Sequence, residues 1–192
     1  VQVGISFVGA EGAGRNLEAE AAGRSFDELR KQAREAWERQ LSRIGLEGAS
    51  DREATIFYTA LYHALLHPNV FSDANGQYMG MDNQFHKLAK GQQAQYANYS
   101  GWDSYRSQTQ LMAMVEPKVT SDVVTSMLNG YDQTGLLPKW ASNNGESYVM
   151  VGDPAAGIIA DAYAFGARSF DTDKALAALQ HEATAPNNDR PG

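Results

Sequence analysis

The chain opens on alternation. Val1, Val3, Ile5 and Phe7 fall on one face of the stretch 1–8, and a period of two in β-branched and aromatic residues predicts a strand. No partner run follows closely, a first hint that the chain is a section of something longer. Gly9 to Gly14, followed by Arg15-Asn16, is glycine-rich but lacks the Lys-Ser/Thr ending with which a phosphate-binding loop neutralises its ligand. It reads as a flexible connector. From Ser25 the period changes to three and four. Ser25-Phe-Asp-Glu28 is a capping box, and Phe26, Leu29, Ala33, Ala36, Trp37, Leu41 and Ile44 make one apolar stripe ending near Gly45. A second capping box, Ser50 to Glu53, starts a helix that is apolar nearly all round to Leu66 and stops at Pro68. Such a helix is expected to be covered on most sides.

The stretch 69–90 predicts a hairpin around Asn75-Gly76. Helices are predicted over about 100–115, 119–132, 154–166 and 171–183, with a loop at 135–147. Pro154 suits a first helical turn with Asp153 as its N-cap. The helix from 154 is again apolar almost throughout, so it and the 52–66 helix are the two expected to be fully buried. The tail from Thr184 to Gly192 holds two Pro, two Asn and one Gly and reads as loose. One strand, a connector and six helices, some one-sided and some buried, suit helical hairpins arranged in inner and outer layers.

Composition narrows the classes. Of 192 residues, 43% are hydrophobic and 20% charged, enough apolar material for a core and against wholesale disorder. The net charge is −7 with no basic stripe, which argues against nucleic acid as a partner. No run approaches the roughly 18 apolar residues of a membrane span. There is no cysteine, hence no disulfide framework, thiol nucleophile or thiolate metal site.

Four groups of residues carry candidate chemistry. His63 and His67 are four apart, as metal ligands could be, but the Glu of a zinc-protease motif is missing and the helix around them is apolar, so buried hydrogen-bonded histidines are expected. Asn98-Tyr-Ser100 is a glycosylation sequon. Trp102, Asp103 and Arg106 open a helix and allow two readings. Asp103 and Arg106, three apart, can pair locally. Alternatively, the indole packs on a sugar face while the acid and guanidinium take its hydroxyls. The best candidate is Glu146, in the Gly/Asn-rich stretch after Trp140. It is either an exposed loop Glu or a general acid, its pKa raised beside Trp140 by shielding from water.

These residues, taken in order, resemble a known family. Phe57-Tyr-Thr-Ala-Leu-Tyr-His63, His67-Pro-Asn69, Phe71-Ser-Asp73, Asn75-Gly76, Tyr99-Ser-Gly-Trp-Asp-Ser-Tyr-Arg106, Leu137-Pro-Lys-Trp140, Asn144-Gly-Glu146, Met150-Val-Gly-Asp153 and Ile159-Ala-Asp-Ala-Tyr163 are similar to family 92 of the glycoside hydrolases, calcium-dependent exo-acting α-mannosidases. Val3 to Val8 and Asn16 to Glu20 resemble the same family, so the likeness runs from about residue 1 to 183.

The resemblance implies a mainly α chain that forms part of an (α/α)6 barrel, or toroid. Residues 1–22 would then be the end of an N-terminal β-sandwich and the start of a linker, 23–49 a linker helix, and 50–192 the first half of the catalytic barrel. It implies inverting removal of terminal α-mannose, of α-1,2 type, from mannans or N-glycans. Glu146 matches the general acid and Asp103 a sugar-binding acid, with Trp102, Arg106 and Trp140 as substrate-binding neighbours. Calcium is implied as cofactor, with ligands mostly outside this chain. An extracellular or periplasmic bacterial setting is implied as well, and the Ala- and Gly-rich usage suits a high-GC bacterium. The chain departs from the family in what it lacks. The Gly-Asn-Asp-Asp type motif of the base and the Asn-Glu-Pro segment associated with calcium do not occur, so this stretch alone is expected not to hydrolyse mannosides without the remainder of the parent polypeptide. The alternatives are a non-catalytic carbohydrate-binding or structural helical module, and another (α/α) toroid enzyme acting on polysaccharide.

Overall fold

The computed structural model describes residues 1–185; the tail beyond them, part of the stretch expected to be loose, lies outside the described residues. The elements run α1 (Ala10–Ala21), α2 (Phe26–Leu41), α3 (Asp51–Ala64), β1 (Asn69–Val70), β2 (Gln77–Met79), β3 (Phe85–Lys87), β4 (Tyr96–Ala97), β5 (Tyr99–Ser100), α4 (Gly101–Ser104), α5 (Gln108–Val115), α6 (Pro117–Thr134), β6 (Trp140–Ser142), β7 (Gly145–Glu146), α7 (Pro154–Ala164) and α8 (Thr172–Thr184).

Both capping boxes form as predicted. The Ser25 and Ser50 hydroxyls accept from the Glu28 and Glu53 N–H, while each Glu reaches back to the cap backbone. Pro117 and Pro154 occupy first-turn positions, where a missing N–H costs nothing. Asp153 departs from its predicted part. It stands at the N-cap of α7 without a capping hydrogen bond, and its carboxylate turns to Lys139 instead.

The start of the chain differs from the reading of its sequence. Residues 1–8 pair with no strand among the described residues, because alternation supplies a face but not a ladder partner. The glycine-rich stretch is helix α1, not a connector. Asp73, 6% exposed, holds this segment to the body. Its carboxylate accepts from Ser6 Oγ at 2.7 Å and Asn16 Nδ2 at 2.8 Å, and Asn16 Oδ1 accepts from the Ala74 N–H at 2.8 Å. Phe7 stacks on Phe71 above them.

The Asn75-Gly76 turn is present, with Gly76 at φ +79°, but the predicted hairpin is not. β1 pairs with β4 and β2 with β3. Long-range pairing takes the β1 edge: the Phe71 N–H donates to Gln95 O just outside the ladder, and Phe71, Tyr78 and Ala97 close a small apolar cluster.

Burial is also distributed differently. In α3 only Leu61 is buried, Ile56 is 58% exposed, and α2 covers one side through Trp37 against Tyr62. The best-buried helix is α6, with Thr120 to Val124, Ser126 to Leu128 and Gly130 all inside. Its polar residues concealed this. Thr120, Ser121, Thr125 and Ser126 each donate to the carbonyl four residues back, which satisfies the hydroxyl and lets it enter the core. Buried Asp122 accepts from the Gln93 N–H at 3.0 Å. The main core gathers Val124, Met127 and Leu128 of α6 with Ile158, Ile159 and Ala162 of α7, and Ala175 and Ala178 of α8. α7, expected to be fully buried, buries only the face that carries Ala155, Ile158, Ile159 and Ala162, and Tyr163 on its other side is 47% exposed.

Candidate functional site

The segment 135–147, read as a loop, contains a hairpin. β6 and β7 pair through Ala141↔Glu146 and Ser142↔Gly145, leaving Asn143-Asn144 as the two-residue turn. Both have positive φ, 48° and 57°, as a type I′ turn requires and Asn tolerates. Asn144 is 2% exposed, donates to Met79 O at 2.8 Å and accepts from Gln95 Nε2. The Asn143 N–H donates to Asn98 Oδ1 at 2.8 Å. Asn98 in turn donates to Asn69, so the amide of the sequon is engaged inside the fold. An Asn-Asn-Gly triplet was the signal from which this hairpin could have been read.

On the other side of β6 lies β5, in register Ser100↔Trp140 and Tyr99↔Ala141. The three strands, in order β5-β6-β7, place Tyr99 and Glu146 level with each other on the two outer strands, about 10 Å apart at ordinary strand spacing. The chain leaves β5 directly into α4, which carries Trp102 and Asp103. One small sheet therefore joins the two sequence motifs that had been read as separate candidates. Gly101 makes the junction possible. It donates its N–H to Lys139 O at 2.9 Å, and a Cβ there would lie 2.5 Å from that oxygen and 2.4 Å from Pro154 Cγ.

The surroundings of Glu146 differ from those expected. It is half-buried, and three backbone N–H groups donate to its carboxylate: Lys139 at 2.5 Å and Trp140 at 3.3 Å, one to each oxygen, and Tyr148 at 2.9 Å. Polar donors, rather than apolar cover by Trp140 alone, fix its position. The cleft it lines with Met81, Leu136, Pro138 and Tyr148 measures about 40 Å³, space for about one water at roughly 30 Å³. Beyond Glu146 the chain is strained, since Tyr148 and Met150 have φ of 54° and 75°, a conformation bulky residues rarely hold outside functional loops.

Trp102, Asp103 and Arg106 are exposed. The local ion pair of the simpler reading does not form. Arg106 instead lays its guanidinium over the Trp102 ring at 3.8 Å and donates from Nε to Trp102 O. Asp103 is thereby left facing solvent beside a cation–π stack. Trp140 is half-buried and bridges the sheet to Ser147, whose hydroxyl donates to Trp140 O at 2.9 Å. His63, on a face of α3 left uncovered among the described residues, and His67, beyond the end of that helix, are exposed rather than buried. Among the described residues no three of His, Asp and Glu are grouped to hold a metal ion.

Two further acids back the site. Asp153 lies 3.3 Å from Lys139 Nζ. Glu182 of α8, 5% exposed, accepts from the Leu137 N–H at 3.1 Å. Burial pushes the Glu182 carboxyl up, partly offset by that hydrogen bond and by the Lys139 charge. A raised pKa means the folded state holds the proton more tightly than the unfolded chain. Its stabilising contribution is therefore full below the ordinary carboxylate range and is lost as pH rises through the elevated value. Glu182→Gln is expected to flatten this part of the stability–pH curve, measured as urea midpoint against pH. An unchanged curve would contradict the assignment.

Residues 12–192 match the catalytic domain of glycosyl hydrolase family 92. The chain belongs to that family. It superposes on a family 92 α-mannosidase of Bacteroides thetaiotaomicron, solved with mannoimidazole, with a TM-score of 0.88 and 33% identity over 95% of this chain. It is also similar to a family 92 inverting mannosidase of the same organism, with a TM-score of 0.85 and 30% identity over 94% of the chain. Each match covers 24% of the solved chain. A curated relative, an uncharacterised secreted glycosidase of Arthroderma benhamiae, is 26% identical over 138 residues, 70% of this chain and 16% of that protein. The chain is thus mainly α and forms part of the family's (α/α)6 toroid. The ordered motifs that suggested the resemblance fall on α3, on β1 and the turn after it, on β5 and α4, on β6 and β7, and on the run into α7 and its second half.

Proposed function

We propose that this chain is the acid-bearing portion of an inverting exo-α-mannosidase of α-1,2 type, acting on mannans or N-glycans. The observation that carries the reading is the β5-β6-β7 sheet. It holds the Glu146 carboxylate on backbone amides, and its far strand leads directly into α4, which carries Trp102 and Asp103 with Arg106 just beyond. The likeness to a solved inverting mannosidase supports it.

In this scheme Glu146 donates its proton to the departing glycosidic oxygen as the bond to the anomeric carbon breaks. A water on the opposite face, deprotonated by a second carboxylate roughly 6.5–9.5 Å from the first, attacks that carbon. The products are β-mannose and the free alcohol. Trp102 packs against the ring, Asp103 accepts from sugar hydroxyls, and Arg106 keeps the indole in place. Trp140 walls the pocket beside the acid. Residues 1–22 would close a preceding β-sandwich, 23–49 form the linker helix and 50–192 the first half of the barrel, whose other helices would cover the apolar face of α3. The base lies in the remainder of the polypeptide.

Calcium enters through the family likeness alone. The described residues do not fit it, since they assemble no cation cage, and its ligands would come from the same remainder. The secreted relative supports an extracellular or periplasmic setting.

The test is the anomer first released. Hydrolysis of methyl α-1,2-mannobioside, whose leaving sugar is locked as its methyl glycoside, by the intact enzyme, followed by proton NMR, is expected to show β-mannose before mutarotation. Initial α-mannose would overturn inversion, and binding without hydrolysis would favour a carbohydrate-binding module.

A further inference from the structure

The carboxylate of Glu146 is positioned by the peptide units of Lys139 and Trp140, so whatever fixes those units fixes the acid. Lys139 is 6% exposed, a rare placement for a lysine unless its charge is paired. Its Nζ meets Asp153 Oδ1 at 3.3 Å at the start of α7, and its charge also acts on buried Glu182 of α8. The same residue uses its main chain on both sides: its N–H donates to Glu146 at 2.5 Å, and its carbonyl accepts from Gly101 at 2.9 Å, at the head of α4. Two residues earlier, the Leu137 N–H is held by Glu182. One residue thus ties α7 and α4 to the acid, with α8 holding the chain just before it.

We propose that Lys139 is a positioning residue for Glu146. Its ion pair with Asp153, buried at the lysine end, fixes the peptides on either side of Lys139, and those peptides aim the carboxylate. The proposal rests on Glu146 being the general acid, and it adds a requirement which that reading does not contain. Lys139 does not touch the substrate, and its effect falls on proton delivery to the leaving group.

Leaving-group chemistry separates positioning from general support of the fold. Lys139→Met keeps the length of the side chain and removes its charge. Asp153→Asn breaks the same pair from its more exposed end and guards against failure of the first variant to fold. Each is compared in the intact enzyme on α-1,2-mannobiose, whose leaving sugar needs a proton, and on 2,4-dinitrophenyl α-mannoside, whose leaving phenolate does not. Both variants are expected to lose about 10²-fold in kcat/KM on the disaccharide, the scale of a 1 Å misplacement, with the dinitrophenyl rate little changed. Equal losses on both substrates, or no loss on either, would overturn the proposal. Glu146→Gln run in parallel keeps the two readings apart. If it shows the leaving-group bias and the Lys139 and Asp153 variants do not, positioning fails and the acid stands. If Glu146→Gln itself shows no bias, the underlying assignment fails.

Discussion

Glu146→Gln in the intact enzyme is expected to lower turnover of α-1,2-mannobiose by about 10²–10⁴-fold, the usual contribution of a positioned general acid. KM is expected to change little, because in the proposed scheme the mannose ring is held by Trp102 and Asp103 of α4 rather than by the acid. The substitution also carries a structural cost that can be anticipated. The amide oxygen can still accept from Trp140 and Tyr148, but the new NH2 then faces the Lys139 N–H, which Glu146 engages at 2.5 Å. Two donors meet there, and an unsatisfied buried donor costs about 1–3 kcal/mol. Thermal unfolding of the variant should therefore accompany the kinetics, with a modest drop in Tm and a large drop in kcat. A large fall in both kcat and secondary structure would point to misfolding. Full activity in a stable variant would remove Glu146 from the chemistry.

The 192-residue chain on its own, given calcium and α-1,2-mannobiose, is expected to release no mannose. An inverting reaction needs a base on the face opposite the acid, and the motif that supplies it in the family does not occur in this sequence. In the proposed scheme Glu146 serves the other side of the ring and does not activate that water. Free mannose can be measured by a coupled dehydrogenase assay against the intact enzyme at equal molarity. Clear turnover by the chain alone would mean that a carboxylate within it acts as base, with Asp103 the first to be replaced.

Local signals in the sequence were reliable where local physics decides. The two capping boxes, the first-turn Pro154 and the turn at Asn75-Gly76 formed where they were read. Reading failed where a distant partner decides. Val1 to Val8 has the alternation of a strand without a ladder to join. α3 has the composition of a buried helix, yet among the described residues only one side is covered. α6 hides its burial behind hydroxyls that bond their own helix. The hairpin at 69–79 lost its expected partner because β4 and β3 compete for its two arms. Within the candidate site, residue types pointed to Glu146 and to Trp102 through Arg106 separately. Their union through β6, the stacking of Arg106 on Trp102 and the part of Lys139 depend on register and on side-chain contacts between distant elements. A lysine between Pro138 and Trp140 gives no sign in sequence that it will be buried.

The most direct test of Glu146 as the proton donor is the dependence of kcat/KM on leaving-group acidity across a series of aryl α-mannosides, measured for the intact enzyme and for Glu146→Gln. With Glu146 present, the rate is expected to vary weakly with the pKa of the departing phenol, because the enzyme supplies the proton. In the Glu146→Gln variant it is expected to fall steeply as the phenol becomes less acidic, the two lines converging at dinitrophenol. Parallel lines would contradict the assignment, since the lost group would then be doing something other than protonating the oxygen that leaves.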